Sequence, residues 1–86
     1  KRIIITGGAG FIGSNFILRQ IAETDNHLLN FDKLTYAGNL DNLISVAVNP
    51  RYQFVEGDIT DAAAVEAIIQ DFQPDGIIHF AAESHV

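Results

Sequence analysis

Three consecutive β-branched residues, Ile3-Ile4-Ile5, run straight into Thr6-Gly7-Gly8-Ala9-Gly10-Phe11-Ile12-Gly13, and an amphipathic stretch follows at once. Isoleucines that do not alternate with polar residues leave neither face of a strand for water, so this strand belongs inside a parallel sheet covered on both sides. The glycines then form a turn into a helix, and two spacings are open. Gly8, Gly10 and Gly13 read as G-x-G-x-x-G, whereas Gly7, Gly10 and Gly13 read as G-x-x-G-x-x-G. Under either spacing one glycine turns the chain sharply, one lets backbone approach a ligand, and Gly13 lets the helix pack against the strand. The unpaired N–H groups of the helix start, at the positive end of its dipole, make a seat for a pyrophosphate. An ordinary flexible loop is the competing reading. Asp32 weighs against it, because a carboxylate follows the last glycine at the ~20-residue distance that a dinucleotide turn requires.

The pattern predicts a helix from about Phe11 to Glu23, with Ile12, Phe16, Ile17, Leu18, Ile21 and Ala22 on one apolar stripe and Thr24-Asp25-Asn26 ending it. Leu28, Leu29 and Phe31 mark a second strand that delivers Asp32 at its C-terminal end. There a carboxylate accepts both hydroxyls of an adenosine ribose and repels a 2′-phosphate, which favours NAD over NADP. Lys33 counts the other way, since a cation at that place can take the phosphate. Residues 33–39 read as a loop, followed by a short helix with Leu40, Leu43, Ile44 and Ala47 inward and Asn49-Pro50 as its stop.

Tyr52 to Val55 forms the third strand, and Asp58 and Ile59 leave its end where an adenine ring would pass. Asp58 can accept from the adenine amino group and Ile59 can supply an apolar contact; alternatively, Asp58 only opens the next helix. Thr60 or Asp61 caps that helix, in which Val65, Ile68, Ile69 and Phe72 repeat at helical spacing. Gln73-Pro74-Asp75 breaks it, and Gly76 leads into a fourth strand over Ile77 to Phe80. Strands alternating with helices imply an α/β, Rossmann-type doubly wound parallel sheet in the order 3-2-1-4. Its order reverses between strands 1 and 4, and Ala81 and Ala82 floor the crevice at that reversal.

A net charge of −6 disfavours nucleic acid as a partner, and no apolar run is long enough to span a membrane. The absence of cysteine removes disulfides and thiolate metal sites and fits a cytoplasmic location.

Two runs are more specific than the glycine turn. Asp32-Lys33-Leu34-Thr35-Tyr36-Ala37-Gly38-Asn39-Leu40 and His79-Phe80-Ala81-Ala82-Glu83-Ser84-His85-Val86 resemble the N-terminal part of the dTDP-glucose 4,6-dehydratases, within the extended short-chain dehydrogenase/reductase family. The resemblance spans the whole chain and only the first part of the family's length. It implies that residues 1–86 are the N-terminal portion of an NAD-binding domain, with the rest of that domain and the substrate domain outside them. It also implies NAD as cofactor, held by Gly7, Gly10, Phe11, Ile12 and Gly13 at the turn and by Asp32, Lys33, Leu34, Thr35, Ala37 and Gly38 at the adenosine half. Asp58 and Ile59 would then flank adenine. Phe80, Ala81, Ala82, Glu83 and Ser84 would border nicotinamide, with Ser84 reaching the sugar.

The implied chemistry is a lyase cycle on a nucleotide sugar, dTDP-glucose, in a homodimeric parent: oxidation at C4, loss of water across C5 and C6, and hydride return to C6. Its Tyr-x-x-x-Lys pair is missing here, since Tyr36 and Tyr52 are followed at the fourth position by Leu40 and Glu56. No catalytic residue is assigned, and the 86 residues alone are expected to be inactive. An epimerase or decarboxylase of the same family, or a non-catalytic NAD-sensing module, would share the glycine turn. A metal site on His79, Glu83 and His85 is set aside because the same run fits the dehydratase pattern.

Overall fold

The computed structural model describes residues 1–8, 10–33 and 40–80. Strands β1 (Arg2–Thr6), β2 (His27–Asp32), β3 (Tyr52–Glu56) and β4 (Gly76–His79) pair in parallel in the order β3-β2-β1-β4, as the sequence pattern predicts. Helices α1 (Phe11–Glu23) and α2 (Ala62–Phe72) and a 3₁₀ helix over Leu40–Val46 fill the connections. Right-handed crossovers fix the layers. Stepping outward from β1 to β2 and β3 puts α1 and the 3₁₀ helix on one face, and the return from β3 to β4 puts α2 on the other.

Alternation along each strand then divides the consecutive apolar residues between the faces. Ile5, Leu28 and Tyr52 join Ile17 of α1 with Leu43 and Val46, and Ile5, Ile17 and Leu28 are wholly shielded from solvent. Ile4, Leu29 and Phe31 join Phe72 of α2, with Val65 and Ile68 only partly covered. Burying one such side chain is worth about 1.5–3 kcal/mol. The polar ties lie at the N-terminal end of the sheet. Arg51 donates to the carbonyls of Ile21, Thr24 and Asn26, and Arg2 donates to the Phe72 carbonyl at 2.6 Å with its guanidinium 4.2 Å above the Phe72 ring.

Four expectations are corrected. Ile12 and Ala22 are exposed, because the helix overhangs the sheet at both ends and its buried residues are Gly13, Ser14 and Ile17. In the segment before β3 the helix is 3₁₀, so the inward period is three: Leu43 and Val46 are buried while Ile44 and Ala47 face water. Ile69 of α2 lies largely outside the core, at 37% exposure. Finally, β4 runs one residue earlier than predicted, since Ile3 pairs with Gly76 and Thr6 with His79; the Phe80 N–H still donates to the Thr6 carbonyl at 2.8 Å.

Candidate functional site

The turn after β1 resolves the two glycine spacings. Gly7 has φ +75°, a left-handed conformation, and its carbonyl accepts from the Gly10 N–H at 3.2 Å. A Cβ on Gly7 would sit 2.8 Å from the Phe80 carbonyl oxygen, and one on Gly13 would sit 2.5 Å from the Gly7 carbonyl oxygen and 2.8 Å from Gly8 Cα. The wider spacing therefore carries the turn: Gly7 bends the chain, and Gly13 seats α1 on it. Gly10 is the N-cap of α1 in extended conformation, with no side-chain cap, and the first turn of the helix holds no carboxylate. A 13-residue helix thus presents its N–H groups and positive dipole end without a counter-charge of its own. Phe11 and Ile12 flank that end at 76% and 56% exposure. These residues fit a pyrophosphate, because the glycines keep the backbone close at the turn and the uncapped N–H groups of α1 are donors an anion can take. Phe80 closes the far side, its ring 5.5 Å from that of Phe16.

A second group forms where β2 and β3 end. Asp32 pairs in register with Glu56, and the Gly57 N–H donates to the Asp32 carbonyl at 3.0 Å, which brings the residues after both strands side by side. Lys33 Nζ lies 3.0 Å from Asp58 Oδ2. Asp58 Oδ1 accepts from the Thr60 N–H at 2.9 Å and from the Thr60 hydroxyl at 2.8 Å. The Thr60 backbone N–H first, and Lys33 next, hold the Asp58 carboxyl down to about 2. Asp58 also opens the turn before α2, its carbonyl accepting from the Asp61 N–H at 2.9 Å. The second of its two sequence readings, the residue that opens the next helix turn, is therefore what the structure shows. Ile59 follows at 44% exposure. Leu34, Thr35, Ala37, Gly38, Ala81, Ala82, Glu83, Ser84 and His85 lie outside the described residues.

The described site residues gather at one edge of the sheet, the C-terminal ends of its strands. Gly7, Gly10, Gly13 and Phe80 surround the start of α1, and Asp32, Lys33, Asp58 and Ile59 surround the ends of β2 and β3. In this class of sheet that edge is where ligands bind. Sequence reasoning missed what lies underneath. Gly8, which the narrower spacing names, is required for packing rather than for the turn, since a Cβ there would run into the Asn30 carboxamide and Ile17. Asn30 is fully buried and its Nδ2 donates to the Tyr52 hydroxyl at 3.1 Å; burial raises the Tyr52 pKa. Asn30 Oδ1 has no hydrogen-bond partner among the described residues. Its signal was one polar residue inside the apolar run Leu28-Leu29-Asn30-Phe31, which asks for a buried polar partner. Thr6 Oγ1 and His79 Nδ1 likewise share a hydrogen bond across the ends of β1 and β4.

Comparison with known proteins adds the following. Residues 4–86 match the family model described as GDP-mannose 4,6 dehydratase. The chain is 50% identical over all 86 residues to the dTDP-glucose 4,6-dehydratase of Neisseria gonorrhoeae, and spans 25% of that relative's length. Among solved structures it superposes on dTDP-glucose 4,6-dehydratase from Bacillus anthracis in complex with NAD, with a TM-score of 0.91 and 44% identity over 96% of this chain and 27% of that one. The UDP-Glc/GlcNAc 4-epimerase of Campylobacter jejuni matches with a TM-score of 0.81 and 36% identity, over 96% of this chain and 25% of the epimerase.

Proposed function

We infer, for a chain that belongs to the GDP-mannose 4,6 dehydratase family, that residues 1–86 are the N-terminal portion of the NAD-binding Rossmann domain of a dTDP-glucose 4,6-dehydratase. The observation that carries this reading is identity at half of all positions to such an enzyme, over a segment with an uncapped glycine turn before α1 and a carboxylate, Asp32, at the end of β2. The epimerase is less similar in both sequence and fold.

In this reading Gly7, Gly10 and Gly13 let the pyrophosphate rest on the N–H groups of α1, beside Phe11 and Ile12. Asp32 takes the adenosine ribose hydroxyls, with Lys33, Leu34, Thr35, Ala37 and Gly38 around them, and Asp58 and Ile59 border adenine. Phe80, Ala81, Ala82, Glu83 and Ser84 line the nicotinamide side, and Ser84 also reaches the nucleotide sugar. Bound NAD⁺ supplies the hydride acceptor, and later donor, for oxidation at C4, loss of water across C5 and C6, and reduction at C6. This chain's residues bind and orient; proton transfer at the sugar falls to residues beyond them, since neither tyrosine here precedes a lysine at the fourth position. The enzyme works in the cytoplasm as a homodimer.

Incubating the full-length protein that carries this sequence with dTDP-glucose and following product mass tests the reaction. Loss of one water with no net consumption of NAD⁺ is the expected result, whereas an isomer of unchanged mass would assign the chain to an epimerase. Asp32→Ala should weaken NAD⁺ binding by about 1–3 kcal/mol through lost charge-assisted hydrogen bonds. Calorimetric titration reads this directly, and unchanged affinity would remove Asp32 from the site.

A further inference from the structure

The chain holds five lysines and arginines, and four of them lie away from the adenosine end. Lys1 precedes β1 at the opposite edge of the sheet, Arg2 donates to the Phe72 carbonyl, Arg51 to three carbonyls at the end of α1, and Arg19 lies 3.6 Å from Glu23 on the helix surface. Lys33 alone among the lysines and arginines stands at the C-terminal edge of the sheet, directly after Asp32. It is the cation that a 2′-phosphate on the adenosine ribose would have to use. Its ammonium lies instead 3.0 Å from Asp58 Oδ2, and Asp58 is itself anchored by two hydrogen bonds from Thr60.

We propose that Asp58 is a specificity-determining residue for the cofactor, which holds the Lys33 ammonium and so denies the adenosine corner its one cation for a 2′-phosphate. This rests on the reading of the site as an NAD site and adds a second element to the discrimination made by Asp32. Asp32 repels the phosphate directly; Asp58 holds the lysine that would partner it. The anchoring by Thr60 matters, because a carboxylate already fixed by two donors keeps its second oxygen aimed at Lys33 and loses little freedom in making the pair. The surrounding charge points the same way. Asp32, Glu56 and Asp58 outnumber Lys33 at the ends of β2 and β3, so among the described residues there a lysine released from Asp58 would be the cation able to welcome a dianion.

The test is calorimetric titration of NAD⁺ and NADP⁺ against the full-length protein and its variants. Asp58→Asn keeps one oxygen for the two Thr60 donors, and any effect on adenine is common to both cofactors and cancels in their affinity ratio. In Asp58→Asn that ratio should move toward NADP⁺ by about threefold, the scale of an exposed ion pair. Adding Lys33→Ala to Asp58→Asn should return the ratio to its starting value, and Lys33→Ala alone should leave it there. An unchanged ratio in Asp58→Asn overturns the proposal. A gain that survives in the double variant also overturns it, because the effect would then come from the lost carboxylate charge alone. Titration of the unaltered protein separates the two levels: failure to bind NAD⁺ at all removes both the site and this proposal, while binding with no ratio change in Asp58→Asn removes the proposal and leaves the site.

Discussion

Both α-helices begin at the same edge of the sheet, yet their first turns are built differently. α2 supplies its own acceptor: Asp61 is the N-cap, and its carboxylate accepts from the Ala64 N–H at 3.2 Å. α1 starts on bare Gly10, without a side-chain cap and without an acidic residue in its first turn. Both helix dipoles point the same way, so the dipole cannot distinguish a ligand site from an ordinary connection. What distinguishes them is whether the sequence has already satisfied the N–H groups. The faces differ in the same sense. α1 sits on a fully shielded core through Ile17, whereas α2 buries only Phe72 and keeps Val65 and Ile68 partly open. Within these residues the helix with the bare N-terminus is the one more deeply seated.

Removing the seat should have the largest effect. Ile17→Ala should cost about 3 kcal/mol, the transfer free energy plus a cavity where α1 meets Ile5 and Leu28. The matching change in α2, Ile69→Ala, should cost less than about 1 kcal/mol, because Ile69 is already 37% exposed. Denaturant unfolding of the two variants measures both, and equal losses would break the distinction between the faces.

Gly13→Ala comes next. The new Cβ would meet backbone, the Gly7 carbonyl at 2.5 Å, so α1 has to move off its own turn. A cost of about 2 kcal/mol is expected for such overpacking, together with at least a tenfold loss of NAD⁺ affinity. Gly76→Ala is the control from β4, where a Cβ meets nothing within 4 Å, and it should leave both quantities nearly unchanged. If Gly13→Ala binds as tightly as its parent, the close approach of turn and helix has no role in seating the phosphate.

The capped helix yields a smaller number. Asp61→Ala should destabilise by about 1 kcal/mol, the ordinary worth of an N-cap, and leave NAD⁺ affinity as it was. Thermal unfolding and titration on one sample read both. A loss of affinity here would mean that the two helix starts are coupled rather than distinct.

The sheet order, three strands and the full extent of α1 were legible in the sequence because their signals are local: unbroken apolar runs, glycine punctuation and a polar stop at Thr24-Asp25-Asn26. The errors have physical causes of two kinds. Ile44 and Ala47 were placed inward by assuming 3.6 residues per turn where the chain adopts three, a choice between helix types that composition does not make. Ile12 belongs to the helical stripe but overhangs the sheet, and only the assembled layers show where a sheet stops. In the site, the glycine turn and Asp32 follow from motif spacing. Asn30 stands out as a polar residue in an apolar run, but its partner Tyr52, like the Lys33–Asp58 pair, belongs to a different segment, so no local pattern names the partners.

The last prediction is the smallest effect and concerns acid. Asp58 titrates at about 2, below the ~3.9 of an unfolded aspartate, so the native chain binds fewer protons there than the unfolded one. The stabilisation it supplies is therefore complete above pH ~4 and drains away as the pH falls through about 2. Because the group is partly open to solvent, salt screens its partners, and the effect should be better seen in the titration of the carboxyl itself than in unfolding. NMR detection of the Asp58 carboxyl should give a midpoint that rises in Lys33→Ala and rises less in Thr60→Val, which loses only the hydroxyl. Neither variant should restore the unfolded value, since the Thr60 N–H, the largest cause of the shift, remains in both. An unaltered midpoint in Lys33→Ala would mean that the ammonium is not held at this carboxylate in solution. Nothing comparable should titrate at the start of α1, because its first turn has no acid to protonate; acid should loosen the entry to α2 and leave the phosphate turn in place.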